Sequence, residues 1–490
     1  MKAALIILSV LSLLLVPVEA LFFNVPAWIF VLAIILVSAM DGVFVWRFAK
    51  SRGEKIIFIN LNIFIVLFLL FYTFCYPYFG GTVFKLNPHS TVAGADVKIT
   101  SKQAQADLDF TVKKLKRIHV ALRNKNSLEA QKINDAYKSA SSYIKNHDEM
   151  TVVELAQQIE SVLSVLGDAH TALYVNYSTS QHYYKNVERH NVADDDFIGI
   201  NGVRYEDLLK QKSYLYSYEK ESWAIKDMIN HSISLEGLKY MDIDVSSGIT
   251  YMIETADGSI YEEFAVLEDF LTYDEYVEYN KIVQRKEKPF CYYSIDEEKS
   301  LAVFTLKSCR NNKQYSDTLQ KMFTEIKQKG IRNLAIDVRG NGGGNSLVVN
   351  NLFRYLNIDK YKVSGQILRL GPFLVDFDIP TKKNHRVKDL TFDGDVYLLC
   401  SNSSFSSAML FAQFVKDNNI GKLIGVAPGN NPNGYGEVVH LALPNSHLFV
   451  QVSCKKFKRV NQNTDEIYIE PDYPCEADKA LDVLINNVLY

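Results

Sequence analysis

The stretch Asn333-Leu334-Ala335-Ile336-Asp337-Val338-Arg339-Gly340-Asn341-Gly342-Gly343-Gly344 decides the fold. Its apolar first half predicts a buried strand, and the glycines end that strand abruptly. Glycine tolerates a positive φ and lets other groups approach the backbone closely. A helix is predicted directly afterwards, from Ser346 to about Leu356. The segment is therefore a strand–loop–helix unit, in which the loop is the part that commonly carries function.

The glycine loop excludes two nucleotide-binding motifs. No Gly-Lys-Ser/Thr follows it, as a P-loop requires, and Asn345 occupies the third glycine position of a dinucleotide fingerprint. A tight turn without any ligand is the plain alternative. The functional interpretation that remains is a cluster of backbone N–H groups suited to an anion or an oxyanion.

Length, charge and cysteine spacing narrow the class of protein. The 490 residues predict about three domains of roughly 150 residues each. The formal net charge of −3 argues against nucleic acid as a partner. The six cysteines contain no C-x-x-C pair, so the pattern does not indicate zinc. We expect neither a metal nor an organic cofactor.

Three apolar stretches precede residue 80, at 3–20, 25–46 and 56–76. Each is close to the ~20 apolar residues that cross a bilayer, and the first would also serve as a signal peptide. The basic segment Arg47–Lys55 predicts a cytoplasmic loop and an extracytoplasmic side for the residues that follow. We therefore expect residues 1–80 to be a membrane-embedded anchor of three spans, with the protein multi-pass in the cell membrane.

Three further domains are expected after the anchor. Apolar residues at helical spacing predict a helical region at 81–175, and a mixed strand-like pattern predicts a β-rich insert at 176–295. From Leu301 onward, strands alternate with helices, which indicates an α/β domain with a partly parallel sheet at 296–490. In that domain we predict strands near 301–306, 363–370 and 390–400, a helix that ends at Gly330, and a helix at 407–419.

Leu334–Gly344 resembles the strand and glycine loop of the C-terminal-processing (tail-specific) and tricorn-like serine peptidases. The resemblance implies a Clp/crotonase-like peptidase core. Phe197–Val203 is similar to the Ile-Asn-Gly turn in the PDZ-like insert of many of these peptidases. The resemblance therefore implies a degenerate PDZ-like module in the insert.

The polar turn after the apolar strand Val396–Cys400 is the expected place of a nucleophile. Ser404-Phe405-Ser406-Ser407-Ala408 resembles the nucleophile turn of the family, which implies that Ser406 is the nucleophile. The resemblance also implies an oxyanion hole formed by the backbone N–H groups of Ser407 and Gly343. A serine that merely caps the following helix is the plain alternative.

A serine nucleophile needs a base. The tail-specific branch uses a lysine, but none lies between Lys422 and Lys455. Gly167-Asp168-Ala169-His170-Thr171 resembles the histidine motif of the tricorn-like branch, which implies that His170 is the base. Glu466 best fits the branch's glutamate that orients the histidine, with Asp465 and Glu470 as rivals.

These residues predict a membrane-anchored serine peptidase that hydrolyses peptide bonds of protein or peptide substrates. The predicted catalytic set is Ser406, His170 and Glu466, with Gly343 and Ser407 at the oxyanion. The alternative is a non-catalytic ectodomain that binds peptides or a partner as a membrane receptor.

Overall fold

A computed structural model describes residues 51–75, 94–174, 181–189, 197–255, 258–282 and 289–489, with isolated residues between 32 and 47. The first predicted span, 3–20, lies outside the described residues, as does most of the second, 25–46. The third corresponds to helix α1, Arg52–Cys75.

The prediction of three membrane-spanning helices is wrong, and so is the multi-pass membrane location that was based on it. Within the part of the chain that the structure describes, every helix is too short or too polar to cross a bilayer. Helix α1 begins with charged residues and contains Asn60 and Asn62. These polar residues leave Ile63–Cys75 as its uninterrupted apolar part, which is shorter than the ~20 residues a crossing needs.

The segment 94–174 is helical, as predicted. Two of its helices begin with capping boxes, in which Thr100 pairs with Gln103 and Thr151 with Glu154, so their first N–H groups are satisfied. The elements are α2 (Ser101–Ile118), α3 (Leu128–Lys145) and α4 (Val152–Leu163), with short strands β1 (Lys98–Thr100), β2 (Glu149–Thr151) and β3 (Leu173–Tyr174).

The segment 181–282 is a mixture of strands and helices. Four of its strands form an antiparallel sheet in the order β6-β5-β7-β8. Its strands are β4 (His182–Tyr184), β5 (Phe197–Ile200), β6 (Val203–Arg204), β7 (Ile249–Glu254), β8 (Ile260–Ala265) and β9 (Phe270–Thr272). Its helices are α5 (Tyr205–Lys212), α6 (Glu221–Ser232), α7 (Leu235–Tyr240) and α8 (Tyr273–Tyr279).

The segment 289–489 is an α/β unit, as predicted. Its strands are β10 (Cys291–Asp296), β11 (Leu301–Leu306), β12 (Asn333–Asp337), β13 (Lys360–Lys362), β14 (Gly365–Leu370), β15 (Phe373–Phe377), β16 (Thr381–Lys383), β17 (Asp395–Cys400), β18 (Lys422–Gly425), β19 (Tyr435–Ala442), β20 (Phe449–Lys458) and β21 (Tyr473–Pro474). Its helices are α9 (Lys313–Lys329), α10 (Leu347–Phe353), α11 (Ser407–Asp417) and α12 (Ala480–Val483).

Two sheets of this unit place the functional residues. The first has the order β10-β11-β12-β17-β18-β21 and is parallel from β11 onward. One apolar cluster packs α9, α10 and α11 against it, and a smaller cluster packs α12 on it. The second has the order β15-β14-β20-β19, and β3 pairs with β20. Through β3, the helical segment is joined directly to the C-terminal unit.

Candidate active site

The glycine loop and the serine turn meet at one edge of the parallel sheet. Strands β12 and β17 are parallel neighbours, with Asp337 opposite Leu399, so the loops that follow them leave the sheet side by side. In open α/β sheets, ligands bind at the carboxyl ends of such strands. The Phe405 N–H donates to the Asn341 carbonyl at 2.9 Å, which ties the two loops together.

The turn around Ser406 holds its backbone in an unusual conformation. Ser406 has φ 55° and ψ −117°, immediately before helix α11. Positive φ is costly for a residue with a side chain and is commonly found at functional turns. The Ser406 N–H donates to Asn430 Oδ1 at 2.9 Å. The Ser404 hydroxyl donates to the Val338 carbonyl and the Ser407 hydroxyl to the Gly344 carbonyl. The residues on either side of Ser406 therefore fix the turn, and Ser406 itself lines the cleft described below.

Gly343 lies directly against the predicted nucleophile. A Cβ at this position would be 2.7 Å from the Cβ of Ser406 and 3.0 Å from the backbone nitrogen of Ser407. Gly343 also has φ +100°, so both its conformation and its surroundings require glycine. Its N–H donates to Asn341 Oδ1 at 2.8 Å. The predicted oxyanion donors Gly343 and Ser407 are therefore adjacent, but the N–H of Gly343 is bonded to Asn341 in this structure.

His170 reaches the same place from a distant part of the sequence. Strand β3 begins three positions after it and pairs with β20, where Leu173 lies opposite Val450. The Thr171 hydroxyl accepts from the Ser453 N–H at 3.0 Å, and a Cβ added to Gly436 would be 3.8 Å from His170 Cε1. The second sheet thus places the imidazole beside the serine turn, where its ring lies 4.5 Å from that of Phe405.

The imidazole of His170 is buried, without a hydrogen bond to any residue that the structure describes. It is 7% exposed, and neither ring nitrogen has a partner among the described residues. Burial lowers the pKa of His170, and the nearby Asp168 carboxylate opposes that change. A neutral imidazole with an open nitrogen is the form that can accept a proton from a hydroxyl.

Asp168 organises the turn that carries His170. Its carboxylate accepts from the His170 N–H at 2.9 Å and the Thr171 hydroxyl at 2.5 Å, and it pairs with His119 Nε2 at 3.1 Å. Burial alone would raise the pKa of Asp168, but the hydrogen bond and charge of His119 lower it below its usual range. Asp168 is therefore an ionised carboxylate beside the imidazole.

His170, the glycine loop and Ser406 line one cleft of about 810 Å³, which we call the Ser406 cleft. Polar groups of the site meet large apolar side chains there. Trp223 of helix α6 stacks on Phe405 at 4.1 Å with an angle of 19° between the rings. The lining includes His170, Trp223, Gly343, Ser406, Tyr435 and Phe457. A cleft with apolar walls and a few polar groups at one end is typical of sites that bind peptide side chains beside a reacting group.

Glu466 lies outside the lining of the Ser406 cleft. Its carboxylate accepts from Lys416 Nζ at 2.7 Å and from Arg459 at 2.9 Å. Burial raises its pKa, but the hydrogen bonds from these two cations outweigh that effect and lower it. No contact in this structure joins Glu466 to His170, and its orienting role stays a prediction.

Glu219 is a candidate residue that sequence reasoning missed. One carboxylate oxygen of Glu219, one of Asp168 and a ring nitrogen of His170 lie within 4.8 Å of one another. Burial, and then the charge of Asp168, raise the pKa of Glu219 above its usual range. The three side chains have the donor types that could hold a divalent ion. Nothing in the charged sequence around Glu219 sets it apart from a solvated acid.

A comparison with known protein families identifies the C-terminal unit. Residues 300–475 match the sequence profile of Peptidase family S41. This segment is a peptidase family S41 domain. It contains Gly343, Ser406 and Glu466, whereas His170 and Glu219 precede it. The S41 domain makes the chain a serine-type peptidase, as the sequence predicted. No curated protein matches the chain by sequence.

Solved structures share the architecture around the S41 domain. Mature CPAF covers 79% of this chain and 98% of its own, with 12% identity and a TM-score of 0.53. The photosystem II D1 C-terminal processing protease has the same identity and coverages, with a TM-score of 0.43. The tricorn protease has 13% identity, 79% and 37% coverage, and a TM-score of 0.38. The likeness to CPAF covers more of the chain than residues 300–475, so the shared fold extends beyond the S41 domain.

Proposed function

We propose that this chain hydrolyses peptide bonds by a serine acyl-enzyme mechanism in which Ser406 is the nucleophile and His170 the base. The observation that supports this most is the position of Ser406. Ser406 has a positive φ at the start of a helix and lines one cleft with the buried imidazole of His170, which bonds to none of the described residues. Such a turn keeps a hydroxyl exposed, and the helix N-terminus favours developing negative charge.

The proposed steps use only groups that line the Ser406 cleft. The Ser406 oxygen attacks the carbonyl carbon of the scissile bond while His170 takes the hydroxyl proton. His170 then gives that proton to the leaving amine, the C–N bond breaks, and an ester to Ser406 remains. Water, deprotonated by His170, hydrolyses the ester and restores the serine.

An oxyanion hole is proposed at Ser407 and the glycine loop. The first N–H groups of helix α11 lack partners within the helix, so the Ser407 N–H is suited to an oxyanion. The Gly343 N–H would join it after leaving Asn341 Oδ1, its partner at 2.8 Å. Because the loop backbone is all glycine from 342 to 344, this peptide group can turn at low steric cost.

The proposed substrates are proteins or peptides with an apolar side chain near the scissile bond. The stacked pair of Trp223 and Phe405 supplies an apolar wall beside Ser406. We also keep as a proposal the division into 81–175, 176–295 and 296–490. The cleft takes His170, Trp223 and Ser406 from these three segments in turn.

The test is a fluorophosphonate probe applied to the full chain and mapped by mass spectrometry. We expect labelling at Ser406 that is lost in Ser406→Ala and strongly reduced in His170→Ala. Exposed Ser316→Ala, on helix α9, is the matched control and should label like the wild type. Labelling of a folded Ser406→Ala variant, or full labelling of His170→Ala, would contradict the assignment.

A peptide-binding protein without turnover is the second candidate. Two observations favour it: the His170 nitrogens have no partner among the described residues, and the Gly343 N–H is bonded to Asn341. In that case a folded wild-type chain would not label with the probe but would still bind apolar peptides. Replacing Trp223 by alanine would then weaken binding, while Ser406→Ala would not.

A further inference from the structure

We propose that Glu219 is the residue that orients His170, in place of the predicted Glu466. This rests on the proposed function, because it assigns a partner to the proposed base. A histidine base needs an acceptor that fixes its tautomer and stabilises the imidazolium. Since Glu466 is held by Lys416 and Arg459, that acceptor has to come from elsewhere.

Distance and free hydrogen-bonding capacity single out Glu219. Among the residues that the structure describes, Glu219 and Asp168 each have a carboxylate oxygen within 4.8 Å of a His170 ring nitrogen and of each other. Asp168 already accepts from the His170 N–H, the Thr171 hydroxyl and His119. In Glu219, Oε2 accepts from the Asn431 N–H at 2.6 Å. Oε1 accepts from the Tyr435 N–H at 3.4 Å, which is a long hydrogen bond. Oε1 is therefore weakly held and can turn toward the imidazole.

The backbone around Glu219 is fixed to the S41 domain on both sides. The Tyr468 hydroxyl donates to the Glu219 carbonyl at 2.7 Å, and Lys220 Nζ donates to the Ala427 carbonyl at 2.7 Å. Ser222 and Asn402 exchange two further hydrogen bonds. An orienting residue must be held by its own surroundings before substrate arrives, and these contacts do that for Glu219.

Gly434 leaves the space that the Glu219 carboxylate occupies. A Cβ at this position would lie 2.5 Å from Oε1 and 2.6 Å from Oε2. The carboxylate thus sits in a recess that any larger residue would fill. By contrast, a Cβ added to Gly340 or Gly342 would meet nothing within 4 Å.

The electrostatic setting makes an isolated charge on either member of the pair unfavourable. Burial lowers the pKa of His170 and raises that of Glu219 to about 8, so burial disfavours the charged form of both groups. The other titratable groups around the pair include Asp168, His119, Tyr435 and Tyr468, and Glu437 and His440 lie further along the cleft. When His170 takes the proton from Ser406, the imidazolium and the ionised form of Glu219 would stabilise each other, which offsets the cost of burial for both charges.

The first experiment measures turnover of a fluorogenic peptide by the full chain. We expect Glu219→Gln to lower kcat about 100-fold with KM changed less than about twofold, because the loss is in proton transfer rather than binding. Glu219→Asp should recover part of kcat, since it keeps the carboxylate. Exposed Glu221→Gln, two residues along, should match the wild type, and Glu466→Gln should keep most of its kcat. Full activity of Glu219→Gln with loss in Glu466→Gln would overturn the proposal.

The second experiment does not depend on turnover. The pKa of His170 is measured by NMR in a histidine-labelled Ser406→Ala chain, with and without Glu219→Gln. We expect Glu219→Gln to lower the pKa of His170 because the buried imidazolium loses its carboxylate. An unchanged pKa would refute the pairing even if the peptidase is active. If Glu219→Gln lowers the pKa of His170 but the wild-type chain neither labels nor cleaves, the pairing is upheld while the proposed function fails.

Discussion

Replacing Gly343 by alanine tests how closely the glycine loop approaches the nucleophile. The added methyl group would be 2.7 Å from the Ser406 Cβ and 2.8 Å from the Phe405 carbonyl oxygen, both well inside ordinary contact. Ser406 or the loop would have to move by up to ~1 Å to restore normal packing. A misplacement of about 1 Å in a reacting group can cost about 100-fold in rate, which is about 2.7 kcal/mol.

Gly340→Ala is the matched control for backbone strain. Gly340 has φ +70° in the same loop, but an added Cβ meets nothing within 4 Å. Both substitutions therefore carry the strain of a left-handed alanine, about 1–3 kcal/mol of stability each. Only Gly343→Ala also pushes on Ser406.

The assay measures the rate of fluorophosphonate labelling at Ser406 together with the thermal unfolding midpoint. We expect both variants to unfold at lower temperature. Gly340→Ala should label within about threefold of the wild type, and Gly343→Ala about 100-fold more slowly. Equal labelling rates for the two folded variants would refute the placement of Gly343 against the nucleophile.

Three further outcomes are expected. Because burial lowers the pKa of His170 below its ordinary 6.5, the acid limb of kcat/KM against pH should lie below 6.5, and a limb above that value would exclude His170 as the base. Trp223→Ala should raise KM for apolar substrates about tenfold or more while kcat changes less, whereas exposed Tyr273→Ala should change neither. Burial raises the pKa of Glu160 from 4.5 to about 8, so its contribution is fully present below pH 4.5 and lost as pH rises through about 8. A shift of this size corresponds to ~5 kcal/mol, and Glu160→Gln should flatten the fall in melting temperature between pH 5 and 9.

The sequence predicted the parts of the fold that depend on local pattern. The strand at Leu301–Leu306 has the predicted bounds, and Gly330 ends helix α9 in the left-handed conformation. Helix α10 ends at Phe353 rather than near Leu356, because the last N–H groups bond three residues back and tighten the chain into a turn. The helices at 205–240 were not predicted, since they are short and packed into the core by long-range contacts.

The candidate site was predictable only where a motif marks it. Ser406, His170 and Gly343 were chosen from local motifs, and the structure brings them into one cleft. Glu219 carries no motif, because its position depends on Asn431, Gly434 and Tyr468, which are more than 200 residues away. The stretch at 56–76 is apolar enough as a whole to predict a span, whereas its uninterrupted apolar part begins only after Asn62 and is too short to cross a bilayer.

The pairing of β3 with β20 also has a consequence during synthesis of the chain. A polypeptide that has left the ribosome only as far as Ser406 contains both the proposed nucleophile and the proposed base. It still lacks Phe449 and Val450, which pair with the strand after His170. It also lacks the segment 431–436, which bonds Glu219 and lies beside the imidazole. During synthesis, a domain can fold only when the residues that contact one another have all left the ribosome. We therefore expect the proposed site to assemble only after residues 431–450 have left the ribosome.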